Sequence, residues 1–239
     1  MQEENCLTLS VVMPAYNEEG SIERAILEIQ EKVLNPVGNS ELICVNDGSR
    51  DRTGAILDRL AQSDRRIRPI HQGNAGHGAA LRNGLDQARG EYLFLIDSDR
   101  QIPIEAFEAL WASAKGRDGA LGVRSVRHDP WIRLILTRIV RLSLKLIFGV
   151  SLRDANAPFK IVRRSAWADS SPVIPKDALA PSIFLAVFLS RRRYNLIEVD
   201  VPHRLRQTGT GSLKIMKLVS FCTTAFGQLL KFRSQLVKA

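Results

Sequence analysis

The sequence has little cysteine, few aromatic residues and no long uncharged apolar run. Its three cysteines, Cys6, Cys44 and Cys222, are scattered and odd in number, so neither a disulfide framework nor a cysteine metal site is predicted. No run approaches the roughly 18 uncharged apolar residues that cross a bilayer. Residues 1–5 are acidic and lack the basic-then-apolar pattern of a signal peptide. We therefore expect a protein at the cytoplasmic face of a membrane, not a secreted one.

Charge is divided unevenly along the 239 residues. Residues 1–123 carry 13 Lys and Arg against 19 Asp and Glu, a net charge of −6, whereas residues 124–239 carry 21 against 6, a net charge of +15. This asymmetry indicates that the second half faces phosphates, an anionic membrane or nucleic acid. Nucleic acid is the least favoured, because the basic region has neither interleaved aromatic residues nor a recognisable binding motif.

The first half alternates short apolar strands with helices. Strands are predicted at 7–13 (ended by Pro14), 42–46, 67–71 and 91–96, and helices at 21–33, 53–60 and 79–88. The alternation favours an α/β fold with a mostly parallel central sheet and helices on both faces. Polar segments follow the strands at 14–20, 46–50, 73–78 and 97–101. In an open α/β sheet, such segments meet at the edge where ligands bind.

The segment after the fourth strand carries two acids with one residue between them, Asp97 and Asp99. In an extended chain, residues i and i+2 point the same way, and two buried carboxylates are costly unless a positive charge accompanies them. Such oxygen ligands suit Mg²⁺ or Mn²⁺; on these residues alone, two solvated acids in a turn are the alternative. The glycine spacing of 73–78 does not fit a dinucleotide fingerprint, which disfavours a nicotinamide enzyme.

Four ordered motifs resemble the successive signatures of family-2 glycosyltransferases of GT-A (Rossmann-like) fold. They lie at 12–19, 45–53, 73–84 and 97–101. More narrowly, they resemble the dolichyl- or polyprenyl-phosphate sugar synthases, the branch containing dolichol-phosphate mannose synthase. The resemblance implies one GT-A catalytic domain over 1–212, with a nucleotide-sugar half (1–123) and an acceptor half (124–212), followed by a C-terminal amphipathic helix at 213–239.

The resemblance also implies a donor site and a metal site. Mg²⁺ or Mn²⁺ would be bound by Asp97, Asp99 and Gln101 and would neutralise the leaving diphosphate, with Asp99 in a catalytic role. The nucleotide sugar, linked to GDP or UDP, would be bound by Pro14, Ala15, Tyr16, Glu18, Asp47, Gly76, Arg82, Asp97 and Ser98. Two residues depart from the family pattern. Arg100 could face the phosphates or the solvent, and His77 is expected to cap its helix or contact the diphosphate weakly.

The acceptor side is expected in the second half. By the resemblance, Arg124 after the fifth strand and Arg138 on the following helix would grip the acceptor phosphate and act in catalysis, a task that suits the arginine fork. A loop closing over the diphosphate would supply Arg204, Arg206, Ser212 and Lys214. Ala157 and Pro158 replace the Ser and Gly of the family motif, which weakens the assignment to the mannose synthases themselves.

Residues 131–148 separate into two arcs on a helical wheel. The basic arc holds Arg133, Thr137, Arg138, Arg141 and Lys145, and the apolar arc holds Trp131, Ile132, Ile135, Leu136, Ile139, Leu142, Leu146 and Ile147. This pattern indicates a membrane-interface helix, and packing of the apolar arc on the sheet is the alternative. Residues 212–231 are also amphipathic and could dock on a membrane or a partner subunit.

The resulting hypothesis is an inverting glycosyltransferase that moves one sugar from a nucleotide sugar to polyprenyl or dolichyl phosphate, as a peripheral protein at the inner membrane face. A lipid phosphate is already anionic, so it needs positioning and charge neutralisation, not a protein base. One alternative is a family-2 transferase acting on a sugar hydroxyl in cell-envelope glycan assembly, with Asp154 or Asp177 as the base. A remoter one is an inactive basic module that binds membranes or nucleotides. A membrane-spanning partner or a homo-oligomer is left open, and nucleic acid is not expected as a partner.

Overall fold

The computed structural model describes residues 7–125, 131–204 and 215–238. Its strands are β1 (Leu9–Ala15), β2 (Ser40–Asp47), β3 (Ile67–Gln72), β4 (Tyr92–Ile96), β5 (Gly119–Arg124), β6 (Phe159–Arg163) and β7 (Leu196–Val201). Its helices are α1 (Ile22–Ile29), α2 (Asn35–Val37), α3 (Thr53–Ser63), α4 (His77–Asp86), α5 (Phe107–Ala114), α6 (Trp131–Phe148), α7 (Arg164–Ser170), α8 (Pro181–Arg191) and α9 (Ile215–Lys238). A π turn at Gln30–Leu34 joins α1 to α2, and a 3₁₀ turn at Ile104–Ala106 precedes α5.

The strands form one seven-stranded sheet in the order β3-β2-β1-β4-β6-β5-β7. All neighbours pair in parallel except β6, which runs antiparallel to both β4 and β5. The predicted α/β fold with a mostly parallel sheet is therefore confirmed, whereas the antiparallel strand was not predicted. Its register places Lys160 opposite Leu95 of β4 and Leu121 of β5, which puts a basic residue in the middle of the sheet.

Helices cover both faces of the sheet because its strands are apolar on both sides. In β1, Val11 and Met13 belong to one hydrophobic cluster, and Val12 between them belongs to the other. The first cluster lies under α1, α3 and α5, and the second under α4, α6, α8 and α9. This alternation is the period-two geometry of a strand buried on both faces.

Strand β1 continues through Pro14, where the sequence predicted that it would end. It pairs with β4 only as far as Val12, opposite Leu95, whereas its pairing with β2 continues to Ala15. Proline lacks an N–H group, so it is tolerated where the ladder on one side has already ended. The first polar loop therefore begins two residues later than expected.

Helix α6 spans 131–148 and packs on the core through Leu144 and Phe148, which are buried. Three members of its predicted apolar arc face outward: Ile139, Leu142 and Leu146 are 53%, 58% and 75% exposed. Helix α9 packs beside it, with the Phe232 ring 5.8 Å from that of Phe148, and it leaves Phe226 and Leu230 exposed. Within the described residues, no helix combines the length and hydrophobicity needed to cross a membrane.

The buried hydroxyl group of Ser10 connects three segments of the chain near the amino-terminal ends of the parallel strands. The Ser10 hydroxyl donates to Glu41 Oε1 (2.7 Å) and accepts from the N–H groups of Gly90 (2.8 Å) and Arg89 (3.1 Å). The other oxygen of Glu41 accepts from Arg68. Ser10 is fully buried, so these partners satisfy groups that water cannot reach.

Removing this hydroxyl should destabilise the fold. Ser10→Ala leaves buried N–H groups unsatisfied, and we expect it to lower the free energy of unfolding by about 1–3 kcal/mol in urea titrations. Ser113→Ala is the matched control, because that hydroxyl is exposed and bonds only within its own helix. It should change stability by less than about 0.5 kcal/mol. Equal effects from both variants would contradict the assignment.

Candidate active site

Two loops at the carboxyl edge of the sheet are joined by hydrogen bonds. Asn17 has a left-handed φ of 53°, a conformation that asparagine tolerates better than most residues. Its N–H donates to Ser49 Oγ (3.0 Å), and its Oδ1 accepts from the N–H of Arg50 (2.8 Å). The Glu18 N–H donates to Thr53 Oγ1 (2.9 Å). The loop after β1 is therefore held against the loop after β2.

Asp47, the last residue of β2, organises a third loop. Its carboxylate accepts hydrogen bonds from Gln72 Nε2 and from the N–H groups of Ala75 and Gly76, each at 2.8 Å. Gly76 has a φ of 91°, which glycine adopts without strain. Asp47 is only 3% exposed, and its hydrogen bonds hold the loop before α4 in place. Its predicted contact with the nucleotide stays a prediction.

These loops and the acid motif surround a cavity of about 410 Å³, within the size range of small-ligand sites. It is lined by Pro14, Ala15, Tyr16, Glu18, Asp47, Asn74, Gly76, His77, Ala80, Asp97, Ser98 and Asp99. The structure thus brings together every residue predicted for the nucleotide sugar except Arg82. Asn74 and Ala80 were not predicted, although both lie within the glycine-rich motif.

The expectation for Arg82 is corrected. Its guanidinium donates to the carbonyl oxygens of Ser171 (2.8 Å) and Ile174 (3.1 Å), so it ties α4 to the chain after α7. His77 and Ala80 lie on the side of α4 that lines the cavity. Arg82 comes two positions after Ala80 and therefore lies on the opposite side of the helix.

Arg100 was expected to face either the phosphates or the solvent. Its side chain is 22% exposed and lies beside α1. It forms an ion pair with Glu28 of α1, with N–O distances of 2.6 and 2.9 Å. Burial raises the pKa of Glu28, and hydrogen bonds and charge from Arg100 and Arg24 outweigh it, so that the pKa lies below its ordinary value.

The acids predicted to hold a metal line a second, smaller cavity of about 20 Å³, together with Gln101, Arg124 and His203. Asp99 Oδ1 accepts from the Gln101 N–H (3.1 Å), and His77 Nε2 lies 3.6 Å from Asp97 Oδ1. In the described part of the chain, no three His, Cys, Asp or Glu side chains gather as a metal cluster. Two carboxylates at an open edge nevertheless fit Mg²⁺ or Mn²⁺, because such ions take their remaining oxygens from phosphates and water.

Arg124, at the end of β5, is held by a bidentate ion pair. Its Nε and Nη2 atoms lie 2.7 and 3.0 Å from the two carboxylate oxygens of Asp154. The two side chains are 10% and 4% exposed, so Asp154 orients the guanidinium in a place that water hardly reaches. The same pairing removes Asp154 from consideration as an accessible base.

Lys160 lies beneath this pair, in the middle of β6, and is fully buried. Its ammonium donates to the carbonyl oxygen of Ala157. Burial lowers the pKa of Lys160 to about 8; the charges of Asp154 and Asp97 oppose the shift, and Arg124 adds to it. Sequence reasoning missed both Lys160 and the partner of Arg124. The only sequence feature that pointed to these residues was the segment at 153–160, which contains both Asp154 and Lys160.

The remaining acceptor residues are only partly placed. Arg138 is exposed on α6. Arg204 has an exposed side chain, and its N–H donates to the Gln101 carbonyl oxygen (2.7 Å), so the chain after β7 lies against the acid motif. Arg206, Ser212 and Lys214 lie outside the described residues. The roles expected of these five arginine, serine and lysine side chains stay predictions.

Residues 10–167 match the sequence model of the family described as Glycosyl transferase family 2. The chain is 29% identical over 218 residues to the undecaprenyl-phosphate 4-deoxy-4-formamido-L-arabinose transferase of Pseudomonas aeruginosa (strain LESB58), covering 89% of this chain and 62% of that protein. The transferase of the same name from Pectobacterium carotovorum subsp. carotovorum (strain PC1) is 29% identical over 216 residues, covering 89% and 64%. The chain thus spans less than two thirds of the length of these relatives.

A solved structure supports the fold. Glucosyl-3-phosphoglycerate synthase from Mycobacterium tuberculosis, in complex with Mn²⁺, UDP and phosphoglyceric acid, superposes with a TM-score of 0.71 at 22% identity, covering 95% of this chain and 78% of that one. At this identity the likeness concerns the fold alone, and it confirms the predicted GT-A fold.

The buried ammonium should make stability depend on pH. The pKa of Lys160 is about 8 in the folded protein against an ordinary value of 10.5, so between these values the unfolded chain binds more protons than the native one. Wild-type stability should therefore rise relative to Lys160→Met as the pH increases through this window. Urea unfolding of both proteins across the window measures the difference, and Lys176→Met, at an exposed position, controls for the loss of one lysine. A difference that does not change with pH would contradict the prediction.

Proposed function

The chain belongs to glycosyl transferase family 2, and on that premise we propose that it is an inverting glycosyltransferase that moves one sugar from a nucleotide sugar to a polyprenyl phosphate. The relatives of similar sequence are named as undecaprenyl-phosphate transferases, which supports a lipid phosphate of this class as the acceptor. We further propose that the protein requires a divalent cation and works as a peripheral protein at the cytoplasmic membrane face.

One observation carries the proposal: Asp97 and Asp99 line both cavities. The larger cavity brings them together with the loops after β1, β2 and β3, where a nucleotide would lie. The smaller cavity brings them together with Arg124. A donor diphosphate and an acceptor phosphate would then meet across the same two acids.

The reaction needs no protein base. An oxygen of the acceptor phosphate attacks the anomeric carbon and forms a C–O bond, while the bond from that carbon to the donor diphosphate breaks. The nucleoside diphosphate leaves, and the anomeric configuration inverts. A bound divalent cation supplies neutralisation of the diphosphate charge. Asp97 and Asp99 would hold that cation, and Arg124, already oriented by Asp154, would hold the acceptor phosphate.

The alternative of a hydroxyl acceptor finds less support. It needs a base that can reach the hydroxyl, and Asp154, one of the two candidates, is 4% exposed and paired with Arg124. The other, Asp177, is exposed but does not line either of the two cavities described above.

Two adjacent rows on α6 support docking at an anionic membrane. Arg138, Arg141 and Lys145 are exposed in one row. The next residue in each case (Ile139, Leu142 and Leu146) forms an exposed apolar row beside it. A helix with a basic row and an apolar row next to each other fits the headgroup region of a bilayer that contains anionic lipids.

Activity should depend on the paired acids. Asp97→Asn and Asp99→Asn should each lower transfer of labelled sugar from a nucleotide sugar to undecaprenyl phosphate by about a hundredfold or more, since each weakens electrostatic stabilisation of the leaving diphosphate. Chelation with EDTA should abolish transfer by the wild type. Because the donor is not identified, UDP- and GDP-linked sugars are tested side by side with Mn²⁺.

Asp200→Asn is the matched control for these variants, because Asp200 forms an exposed ion pair with Arg153, and such pairs contribute little to stability. Full activity of Asp97→Asn and Asp99→Asn would overturn the proposed role of the acids. Transfer to a soluble sugar hydroxyl alone would overturn the proposed acceptor. Failure of the wild type to bind any nucleotide with Mn²⁺ would favour an inactive binding module.

Membrane docking is tested on α6. The double variant Leu142→Glu, Leu146→Glu should reduce co-sedimentation with phosphatidylglycerol-containing vesicles by about tenfold or more, because each leucine would otherwise bury apolar surface in the bilayer. Leu27→Glu is the control, since Leu27 is 50% exposed on α1, outside this surface. Unchanged sedimentation of the double variant, or an equal loss with Leu27→Glu, would contradict the docking surface.

A further inference from the structure

A buried amide connects α9 to the chain after α7. Gln228 is 8% exposed. Its Oε1 accepts from the Leu179 N–H (3.0 Å), and its Nε2 donates to the Asp177 carbonyl oxygen (2.7 Å). One side chain thus satisfies both a donor and an acceptor of a segment that has no regular secondary structure of its own. Because the amide oxygen and the amide nitrogen of Gln228 both form hydrogen bonds, the side chain holds the backbone of residues 177–179 in one position.

The same segment supports the first turn of α4. A Cβ atom placed on Gly78 would lie 2.1 Å from the Ala178 carbonyl oxygen and 2.9 Å from that of Leu179, so the two backbones touch and only glycine fits. One turn further along α4, Arg82 donates to the carbonyl oxygens of Ser171 and Ile174. We call residues 171–179 the supporting segment. Helix α4 lies against one side of it, and Gln228 holds it from α9.

The first turn of α4 belongs to the donor cavity. Gly76, His77 and Ala80 line that cavity, on either side of Gly78 in the chain. His77 also lies 3.6 Å from Asp97. A shift of the supporting segment would therefore move a wall of the cavity and a neighbour of the acid motif.

We infer that Gln228 is a positioning residue for the nucleotide-binding cavity, acting through the supporting segment on the first turn of α4. The inference rests on the proposed function, because it assigns the cavity to a nucleotide. It gives a role to a helix that the sequence motifs leave unassigned: α9 would be part of the scaffold of the donor site, not only a surface for membranes or partners. Gln228 itself does not line the cavity.

The test compares Gln228→Met with Gln235→Met. Methionine keeps the length of glutamine and removes its hydrogen bonds. Gln235 lies two turns further along α9, and its Oε1 is buried without a hydrogen-bond partner among the described residues, so its variant removes an amide that does not hold the supporting segment. Both are measured by calorimetric binding of UDP and of GDP with Mn²⁺, by thermal unfolding and by hydrogen exchange of the free protein.

We expect Gln228→Met to weaken nucleotide affinity roughly fivefold or more, the lower end of coupling between linked sites. Amide exchange should become faster at 171–179 and at 76–82, while vesicle co-sedimentation should not change. Gln235→Met should match the wild type in affinity and exchange. Gln228→Asn keeps the amide but is one methylene shorter, so it can retain at most one of the two hydrogen bonds, and its effect should be intermediate.

The inference is overturned if Gln228→Met folds with wild-type nucleotide affinity and unchanged exchange at 76–82. It is equally overturned if Gln235→Met has the same effects. If Gln228→Met does not fold, Gln228→Asn decides by the same two measurements. If the wild type binds neither nucleotide, the proposed function fails, and exchange at 76–82 in the free protein still decides whether Gln228 positions α4.

Discussion

The insertion of β6 between β4 and β5 is the constraint on which the site depends. Strand β6 is antiparallel to both neighbours, and it carries Lys160 into the sheet behind the acids that end β4. The segment before it supplies Asp154, which pairs with Arg124 at the end of β5. Carboxylates at the edge of a buried sheet need positive charge nearby. Strand β6 provides it within the protein, before any metal or substrate binds.

The rest of the site is built by loops that hold one another. Asn17 and Glu18 join the first loop to the second, and Asp47 holds the third. The supporting segment at 171–179 then fixes the helix that follows the third loop. Backbone groups make most of these contacts, so the cavity is shaped by the fold as much as by the side chains that line it. A preformed cavity of this kind binds its ligand with less loss of conformational freedom.

Sequence patterns predicted the fold of the first half of the chain well. Alternating apolar segments located the parallel strands, and the motif residues from Pro14 to Asp99 meet at one cavity as expected. Two arginines are placed in ways that were not predicted: Arg82, which the resemblance assigned to the nucleotide sugar, and Arg100, which was expected to face either the phosphates or the solvent. Arg82 donates hydrogen bonds to two backbone carbonyl oxygens, and Arg100 forms an ion pair with Glu28. Such partners lie 72 to 92 residues away in the chain, and no local pattern reveals them.

The sequence by itself determined the alternation of strands and helices, the polar segments after the strands and the amphipathic character of α6, because these follow from local spacing and side-chain chemistry. Only the tertiary structure decided that β6 runs antiparallel, that Asp154 orients Arg124, and which side of α6 is buried. Leu144 and Phe148 face the core, and the predicted apolar residues Leu142 and Leu146 face outward. These outcomes depend on contacts between residues that are far apart in the sequence. Such contacts form only when the whole chain folds, so no single segment predicts them.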